Sequence, residues 1–203
     1  MSPRLTRRRF FGLDRSGPPP PETLAGAPLR PWTIPNAIGY VRLALIPVFL
    51  WLAWEDDGAG TAPAAVYAVI ALGDYADGIA ARVLGQYSRL GAMLDPVVDR
   101  LLIIAGVVVC WNFELVPRWL LAILIAREAL MLLVGPLALR RGVALQVNWW
   151  GRWGVWPAMG ALFLALCGQE ALATIMLAVG VALLVVATVE YARSARRQLA
   201  EQA

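Results

Sequence analysis

Residues 73–100 read GDYADGIAARVLGQYSRLGAMLDPVVDR and contain four aspartates in two pairs. Asp74 and Asp77 are three residues apart, and Asp95 and Asp99 are four apart, so each pair shares one face of a helix. The link between the pairs, residues 85–91, is rich in turn-forming residues and is expected to bring the two faces together. The stretch therefore predicts two helices joined by a tight connection, with four carboxylates converging beside it.

The chain around this stretch is strongly apolar. Of its 203 residues, 60% are hydrophobic and only 16% are charged, which is unlike an ordinary soluble domain. Apolar blocks of about 18 or more residues are long enough to cross a hydrocarbon layer of roughly 30 Å as helices. We therefore predict an all-α, polytopic membrane protein, a bundle of six transmembrane helices. The predicted spans are 34–54, 64–83, 94–111, 116–139, 149–167 and 171–189.

The basic residues indicate how these spans are oriented. Arginines near both chain ends, in the aspartate-rich connection and at residues 140–141 fall on one side of the predicted membrane, whereas the other side carries mainly acids. The positive-inside rule then predicts that both termini are cytoplasmic. Every basic residue is arginine, which suggests a bacterial chain, so we expect a multi-pass protein of the bacterial plasma membrane. Residues 1–31 are predicted to be a disordered cytoplasmic tail, residues 32–192 the membrane domain, and residues 193–203 a cytoplasmic C-terminal tail.

The aspartate cluster needs positive charge near it. A charge at membrane depth costs roughly 2.5–3.5 kcal/mol on insertion scales, and four neighbouring carboxylates repel one another. The chain has no histidine, so carboxylates must carry any metal or acid–base chemistry. Oxygen ligands select hard cations such as Mg²⁺ or Mn²⁺, and shared carboxylates suit two ions about 3.5–4 Å apart.

Simpler interpretations exist for each aspartate pair alone. Asp74 and Asp77 could mark a helix end at the water interface. Asp95, which precedes Pro96, could be an N-cap with proline in the first helical turn. All four together, with glycine and arginine between them, favour a functional site instead.

The spacing of eight residues resembles the signature of the CDP-alcohol phosphotransferase family, D-x-x-D-G-x-x-A-R followed by G-x-x-x-D-x-x-x-D. The residues at its fixed positions are Asp74, Asp77, Gly78, Ala81, Arg82, Gly91, Asp95 and Asp99. The similarity extends from about Thr33 to the last predicted helix. It implies a six-helix bundle with a cavity open to the cytoplasm, a homodimer, and transfer of a phosphatidyl group from CDP-diacylglycerol to an alcohol with loss of CMP.

The resemblance also implies a role for each signature residue. Two Mg²⁺ or Mn²⁺ ions would be held by Asp74, Asp77, Asp95 and Asp99. Asp99 would in addition be the catalytic base that takes the proton of the acceptor hydroxyl. The CDP moiety would be bound by Asp74, Gly78, Ala81, Arg82 and Gly91, with Gly91 allowing close approach in the link.

The acceptor is suggested by the first helix and by a set of arginines. Residues 33–53 look like the first helix of bacterial phosphatidylglycerophosphate synthases and actinobacterial cardiolipin synthases. Arg127, Arg141 and Arg152 would together suit an anionic acceptor, although Arg127 could instead pair with the adjacent Glu128. Glycerol 3-phosphate is the expected acceptor and phosphatidylglycerol the alternative; inositol phosphate fits the first helix poorly.

Two polar residues of the first helix stand out in an apolar surrounding. Asn36 and Arg42 are candidates for lining the cavity, and Arg42 could alternatively snorkel to the interface or pair with a carboxylate. A cation transporter is the competing class of protein. It predicts carboxylates near the bilayer midplane in broken or repeated helices, whereas here they lie at helix ends and no repeat is visible. Membrane lipid is an expected partner, and nucleic acid is not.

Overall fold

The computed structural model describes residues 21–23, 26–140 and 149–201, and the described residues form six α-helices and no strand. The helices are α1 (Ile34–Glu55), α2 (Thr61–Leu84), α3 (Arg89–Asn112), α4 (Arg118–Arg140), α5 (Trp149–Leu166) and α6 (Glu170–Glu201). Of these, α1, α2 and α6 are long and apolar enough to cross a membrane. The prediction of an all-α membrane protein is confirmed.

The helices begin and end at residues suited to those positions. α1 starts after Thr33, whose hydroxyl oxygen accepts a hydrogen bond from the Asn36 N–H at 3.3 Å, as in an N-cap. α2 is followed by Gly85, whose φ of 64° suits the residue just past a helix end. The connection to α3 is therefore residues 85–88, shorter than the predicted link.

Two helix boundaries, the start of α3 and the end of α6, differ most from the sequence-based expectation. α3 begins at Arg89 and contains Pro96, so the alternative that Asp95 caps this helix is wrong. For the same reason Gly91 lies in the first turn of α3 and not in the link. α6 continues beyond the predicted end at residue 189 to Glu201, because its polar end is rich in good helix formers such as Ala, Arg, Gln and Glu.

One compact unit, called the first unit below, consists of the described residues up to Asp56 together with Ala62–Gly106. α1 and α2 run antiparallel in it, because Arg42 meets Asp77 whereas Phe49, further along α1, meets Tyr67, earlier on α2. The beginning of α3 runs parallel to α1. The buried apolar residues of this unit include Phe49, Tyr67, Ile70, Val98 and Leu102.

The second unit consists of Asp57–Thr61 and the described residues from Val107 onward. Small residues bring α5 and α6 close together in antiparallel order, as is common for membrane helices. A Cβ atom at Gly180 would lie 2.8 Å from the backbone nitrogen of Ala158, and one at Gly154 would lie 2.8 Å from Leu184 Cγ. α4 also packs against α6.

The segment before α1 is described only in part. Residues 1–20 and 24–25 lie outside the described residues, and so does most of the predicted tail. Pro21–Thr23 form one 3₁₀ turn, and the Leu29 carbonyl accepts a hydrogen bond from the Leu90 N–H at 3.3 Å. The last residues before α1 are thus attached to the start of α3.

Candidate active site

A buried arginine from α1 lies among the signature aspartates. Arg42 is only 2% exposed, and its Nε donates to the carbonyl of Ile70 at 2.9 Å. Its Nη1 donates to Asp77 Oδ2 at 3.0 Å and to Asp74 Oδ1 at 3.3 Å, and its Nη2 donates to Asp99 Oδ1 at 2.7 Å. Three of the four carboxylates, from both α2 and α3, therefore meet one guanidinium.

Arg42 reaches this position because α2 has a glycine opposite it. A Cβ atom at Gly73 would lie 2.8 Å from Arg42 Cδ and 2.9 Å from Arg42 Cγ. Contacts this short do not occur between real side chains, so any larger residue at position 73 would displace the arginine or separate the helices. The residue directly before Asp74 thus makes room for the side chain that binds Asp74.

A cavity of about 190 Å³ lies beside this cluster, between the ends of α1, α2 and α3. Its walls combine small residues, amides, hydroxyls and two carboxylates. The lining residues are Thr23, Pro35, Asn36, Asp77, Gly78, Ala81, Arg82, Gln86, Tyr87, Ser88, Gly91, Ala92 and Asp95. Of the residues predicted to bind CDP, the cavity collects all but Asp74, which lies with Asp99 at Arg42.

Asn36 connects three parts of the cavity wall. It is 1% exposed, and its Nδ2 donates to the carbonyls of Arg30 and Pro31 at 3.0 and 3.2 Å. Its Oδ1 accepts a hydrogen bond from the Ser88 hydroxyl at 2.9 Å, and Ser88 Oγ accepts one from the Gly91 N–H at 2.9 Å. The segment before α1, the α2–α3 connection and the first turn of α3 are thereby held together.

The donor chemistry of the aspartates fits a hard divalent cation, since every candidate ligand is a carboxylate oxygen. Within the part of the chain that the structure describes, no three acidic, histidine or cysteine side chains are grouped closely enough to hold one ion. The Arg42 guanidinium lies between the carboxylates of α2 and α3 and bonds to Asp77 and Asp99. The spacing seen here is therefore that of an arginine-bound cluster.

The predicted acceptor site is described only at Arg127. This α4 residue forms an ion pair with the adjacent Glu128, and its buried Nε has no hydrogen-bond partner among the described residues. Arg141 lies outside the described residues, and Arg152 belongs to the first turn of α5, where only the backbone is described. The grouping of the three arginines stays a prediction.

Several residues of the site were not predicted. Ser88 and Gln86 lie in the connection between the two halves of the signature, and the Gln86 side-chain oxygen accepts a hydrogen bond from the Ile34 N–H at 3.0 Å. Their position inside the signature was the available signal. Gly73 precedes the first aspartate, but its importance depends on which side chain faces it, and spacing along the sequence does not reveal that.

Sequence comparison relates the chain to known proteins of one family. The family model of the CDP-alcohol phosphatidyltransferases matches residues 32–186, which include the whole signature. A Streptomyces coelicolor protein named "Cardiolipin synthase (CMP-forming)" is 38% identical over 143 residues, which cover 68% of this chain and 66% of the relative. A Bacillus subtilis protein named "CDP-diacylglycerol--glycerol-3-phosphate 3-phosphatidyltransferase" is 30% identical over 149 residues, covering 66% of this chain and 77% of the relative.

A further relative aligns over nearly the full length of both chains. The Mycobacterium tuberculosis protein named "Probable phosphatidylglycerophosphate synthase" is 26% identical over 203 aligned residues, which cover 96% of each. The resemblance inferred from eight fixed positions is confirmed.

Proposed function

Because the chain belongs to the CDP-alcohol phosphatidyltransferase family, we propose that it transfers the phosphatidyl group of CDP-diacylglycerol to a phosphate-bearing glycerol acceptor and releases CMP. The observation that carries this proposal is the cavity that unites Gly78, Ala81, Arg82 and Gly91 with two of the four signature aspartates. A cavity lined by small residues, an arginine and carboxylates suits a nucleoside diphosphate better than it suits a bare ion in transit.

The nucleotide part of the substrate would enter this cavity. Gly78 and Ala81 leave space for it, and Arg82 offers a fork of N–H donors that matches phosphate oxygens. The Arg82 guanidinium lies over Gly78, since Nη1 is 3.4 Å from where a Cβ atom of residue 78 would be. This places its positive charge at the wall that Gly78 shares with the adjacent Asp77.

Enzymes of this family generally depend on divalent metal ions. Asp74, Asp77, Asp95 and Asp99 would hold two Mg²⁺ or Mn²⁺ ions, which neutralise a diphosphate and stabilise its cleavage. Asp99 would take the proton of the acceptor hydroxyl, since the chain has no histidine to do so. The acceptor oxygen then forms a bond to the lipid-bearing phosphorus, and the bond from that phosphorus to CMP breaks with its electron pair leaving on CMP.

Glycerol 3-phosphate and phosphatidylglycerol are the two acceptors to be separated. Both present a primary hydroxyl on a glycerol that also carries a phosphate. The 38% identity to a CMP-forming cardiolipin synthase favours phosphatidylglycerol, whereas the alignment over 96% of a relative named as a phosphatidylglycerophosphate synthase supports glycerol 3-phosphate. Arg127 and the predicted partners Arg141 and Arg152 would bind the phosphate of either one.

The protein is a membrane protein, and we propose that both of its ends lie in the bacterial cytoplasm. The arginine distribution supports this orientation. It would open the cavity toward the compartment that supplies cytidine nucleotides. The homodimer implied by the family resemblance is part of the same proposal.

The deciding experiment measures CMP release by the purified protein in detergent with CDP-diacylglycerol and Mg²⁺ or Mn²⁺. Glycerol 3-phosphate, phosphatidylglycerol and inositol phosphate are offered separately. We expect release with one glycerol acceptor and a loss of at least about a hundredfold in kcat for Asp99→Asn, in line with the usual contribution of a general base. Asp57→Asn, an exposed acid between α1 and α2, is the matched control and should retain activity. No release with any acceptor from folded, metal-loaded protein would refute the proposal.

A further inference from the structure

We infer that Arg42 is a resident counter-cation of the aspartate site, occupying carboxylate oxygens that divalent ions must take over or share. The inference rests on the metal-binding part of the proposed function and goes beyond it. It assigns to α1, which contributes none of the eight signature residues, control over how strongly the site binds cations.

The contacts of Arg42 are those of a cation held in a prepared position. The side chain is buried, the Ile70 carbonyl fixes Nε, and Gly73 leaves the space through which the side chain passes. Both terminal nitrogens then point at carboxylates, Nη1 at α2 and Nη2 at α3. An arginine that merely snorkelled would place its guanidinium in water instead.

The charge balance shows what this position does. With all four aspartates ionised the carboxylates carry a charge of −4, and Arg42 brings the net charge of the cluster to −3. Arginine keeps its charge under all ordinary conditions, so the site cannot discard this cation by losing a proton. An entering divalent ion therefore meets both a competitor for carboxylate oxygens and a positive charge a few ångströms away.

Arg42 should act differently in the metal-free and the metal-bound protein. Without divalent ions, Arg42 offsets the mutual repulsion of the carboxylates and keeps α2 and α3 together. With them, Arg42 weakens cation binding relative to the same four carboxylates alone. The interaction between unit charges a few ångströms apart stays well above thermal energy at the effective dielectric constant near a protein surface, so both effects are measurable.

The test is a Mn²⁺ titration of the detergent-purified protein followed by electron paramagnetic resonance, together with thermal unfolding with and without Mn²⁺. For Arg42→Gln we expect a Kd for Mn²⁺ lower by about tenfold or more, because a neighbouring positive charge is gone. Its Tm without metal should fall, and the rise in Tm on adding Mn²⁺ should exceed that of the wild type. Arg42→Lys keeps the charge but not the planar fork of donors, so its Kd should lie between those of the wild type and of Arg42→Gln.

Arg100→Gln is the matched control, since it removes an exposed positive charge next to Asp99 and should change the Kd little. An equal or weaker Mn²⁺ affinity in Arg42→Gln would overturn the inference, because an arginine with a purely structural role predicts that result. If neither the wild type nor Arg42→Gln binds Mn²⁺, both the inference and the metal-binding part of the proposed function fail. If the wild type binds Mn²⁺ and Arg42→Gln binds it equally well, only the inference fails.

A second variant covers the case in which Arg42→Gln does not fold. In Gly73→Ala the new methyl group would overlap Arg42 Cδ, so the guanidinium must move away from its carboxylates while its charge is retained. Mn²⁺ should bind this variant more tightly than the wild type, because the carboxylate oxygens are released. An unchanged Kd in folded Gly73→Ala would count against the inference as well.

Discussion

Asn36 and Gly91 occupy adjoining space, and neither can be enlarged without disturbing the other. A Cβ atom at position 91 would lie 2.7 Å from Asn36 Oδ1 and 3.1 Å from Ser88 Oγ. The glycine of the signature is therefore explained by a side chain from α1. The sequence predicted that Gly91 permits a close approach to the backbone. Within the described residues, the group that approaches is the side-chain amide of Asn36.

This contact predicts a specific rescue. Gly91→Ala should break the hydrogen bonds around Asn36, lower stability by about 1–3 kcal/mol as overpacking does, and raise the KM for CDP-diacylglycerol. The double variant Gly91→Ala with Asn36→Ala should recover part of both losses, because the clashing amide is gone. Thermal unfolding and Michaelis–Menten kinetics of the four proteins complete a double-mutant cycle.

Asn36→Ala alone is the reference in that cycle, since it also removes the bonds to Arg30, Pro31 and Ser88. If the effects of the two substitutions on stability and KM are additive, the packing between Asn36 and Gly91 contributes to neither. In that case Gly91 would act through the ligand alone.

The residues that the sequence predicted and those that it did not differ in one physical respect. Asp77, Arg82 and Asp95 could be placed because their spacing within a helix and across a short link fixes where they lie. Arg42 left three alternatives open, because its partners depend on how α1 is rotated against α2 and α3. That rotation is decided by packing between helices, here at Gly39, where a Cβ atom would lie 2.8 Å from Leu94, and at Gly73.

At the scale of whole elements, the close approach of α5 and α6 yields a stability prediction. At Gly180 a Cβ atom would meet the backbone of Ala158 at 2.8 Å, and a backbone cannot move aside without separating the helices. We expect Gly180→Ala to lower the free energy of unfolding by about 1–3 kcal/mol, the usual range for overpacking. The drop would appear as a lower Tm of the purified protein in detergent.

Gly160 supplies the matched control on the same pair of helices. A Cβ atom there would meet only the terminal methyl of Met176, at 3.0 Å, and a flexible side chain can turn away. Gly160→Ala should therefore change the Tm by no more than a few degrees. Equal losses in Gly160→Ala and Gly180→Ala would show that backbone contact at Gly180 does not limit the packing of α5 and α6.

The lengths of the elements were predicted well where apolarity ends a helix and poorly where it does not. Hydropathy placed the start of α1 at Ile34 and its end within one residue of Glu55. It stopped α6 at residue 189, because hydropathy reports where the membrane ends and not where the hydrogen-bonded helix ends. The continuation to Glu201 follows from helix propensity in water, a separate property of the same residues.

At the scale of the molecule, composition decided the class of protein, and arginine placement decided its predicted orientation. The 32 residues of α6 span about 48 Å at 1.5 Å per residue, more than the hydrocarbon layer of roughly 30 Å. Its two ends must therefore reach opposite sides of the membrane if it crosses. Orientation can be tested on this one helix.

The chain provides a suitable probe at one end of α6. Cys167, just before α6, is exposed, whereas Cys110 is buried and should not react. If both termini are cytoplasmic, a membrane-impermeant maleimide added to intact bacterial spheroplasts should label Cys167 of the wild-type protein. In a Cys167→Ser background, Ser194→Cys at the exposed far part of α6 should be labelled only after the membrane is permeabilised.

The two cysteine positions control for each other, because they lie on one helix and react with the same reagent. Labelling of Ser194→Cys in intact spheroplasts together with protection of Cys167 would invert the topology. The arginine-rich C-terminal end would then face away from the cytoplasm, in conflict with the positive-inside rule. An inverted topology would also remove the reason for expecting the aspartate cavity to receive a cytidine nucleotide from the cytoplasm, so this measurement tests the orientation on which the proposed reaction depends.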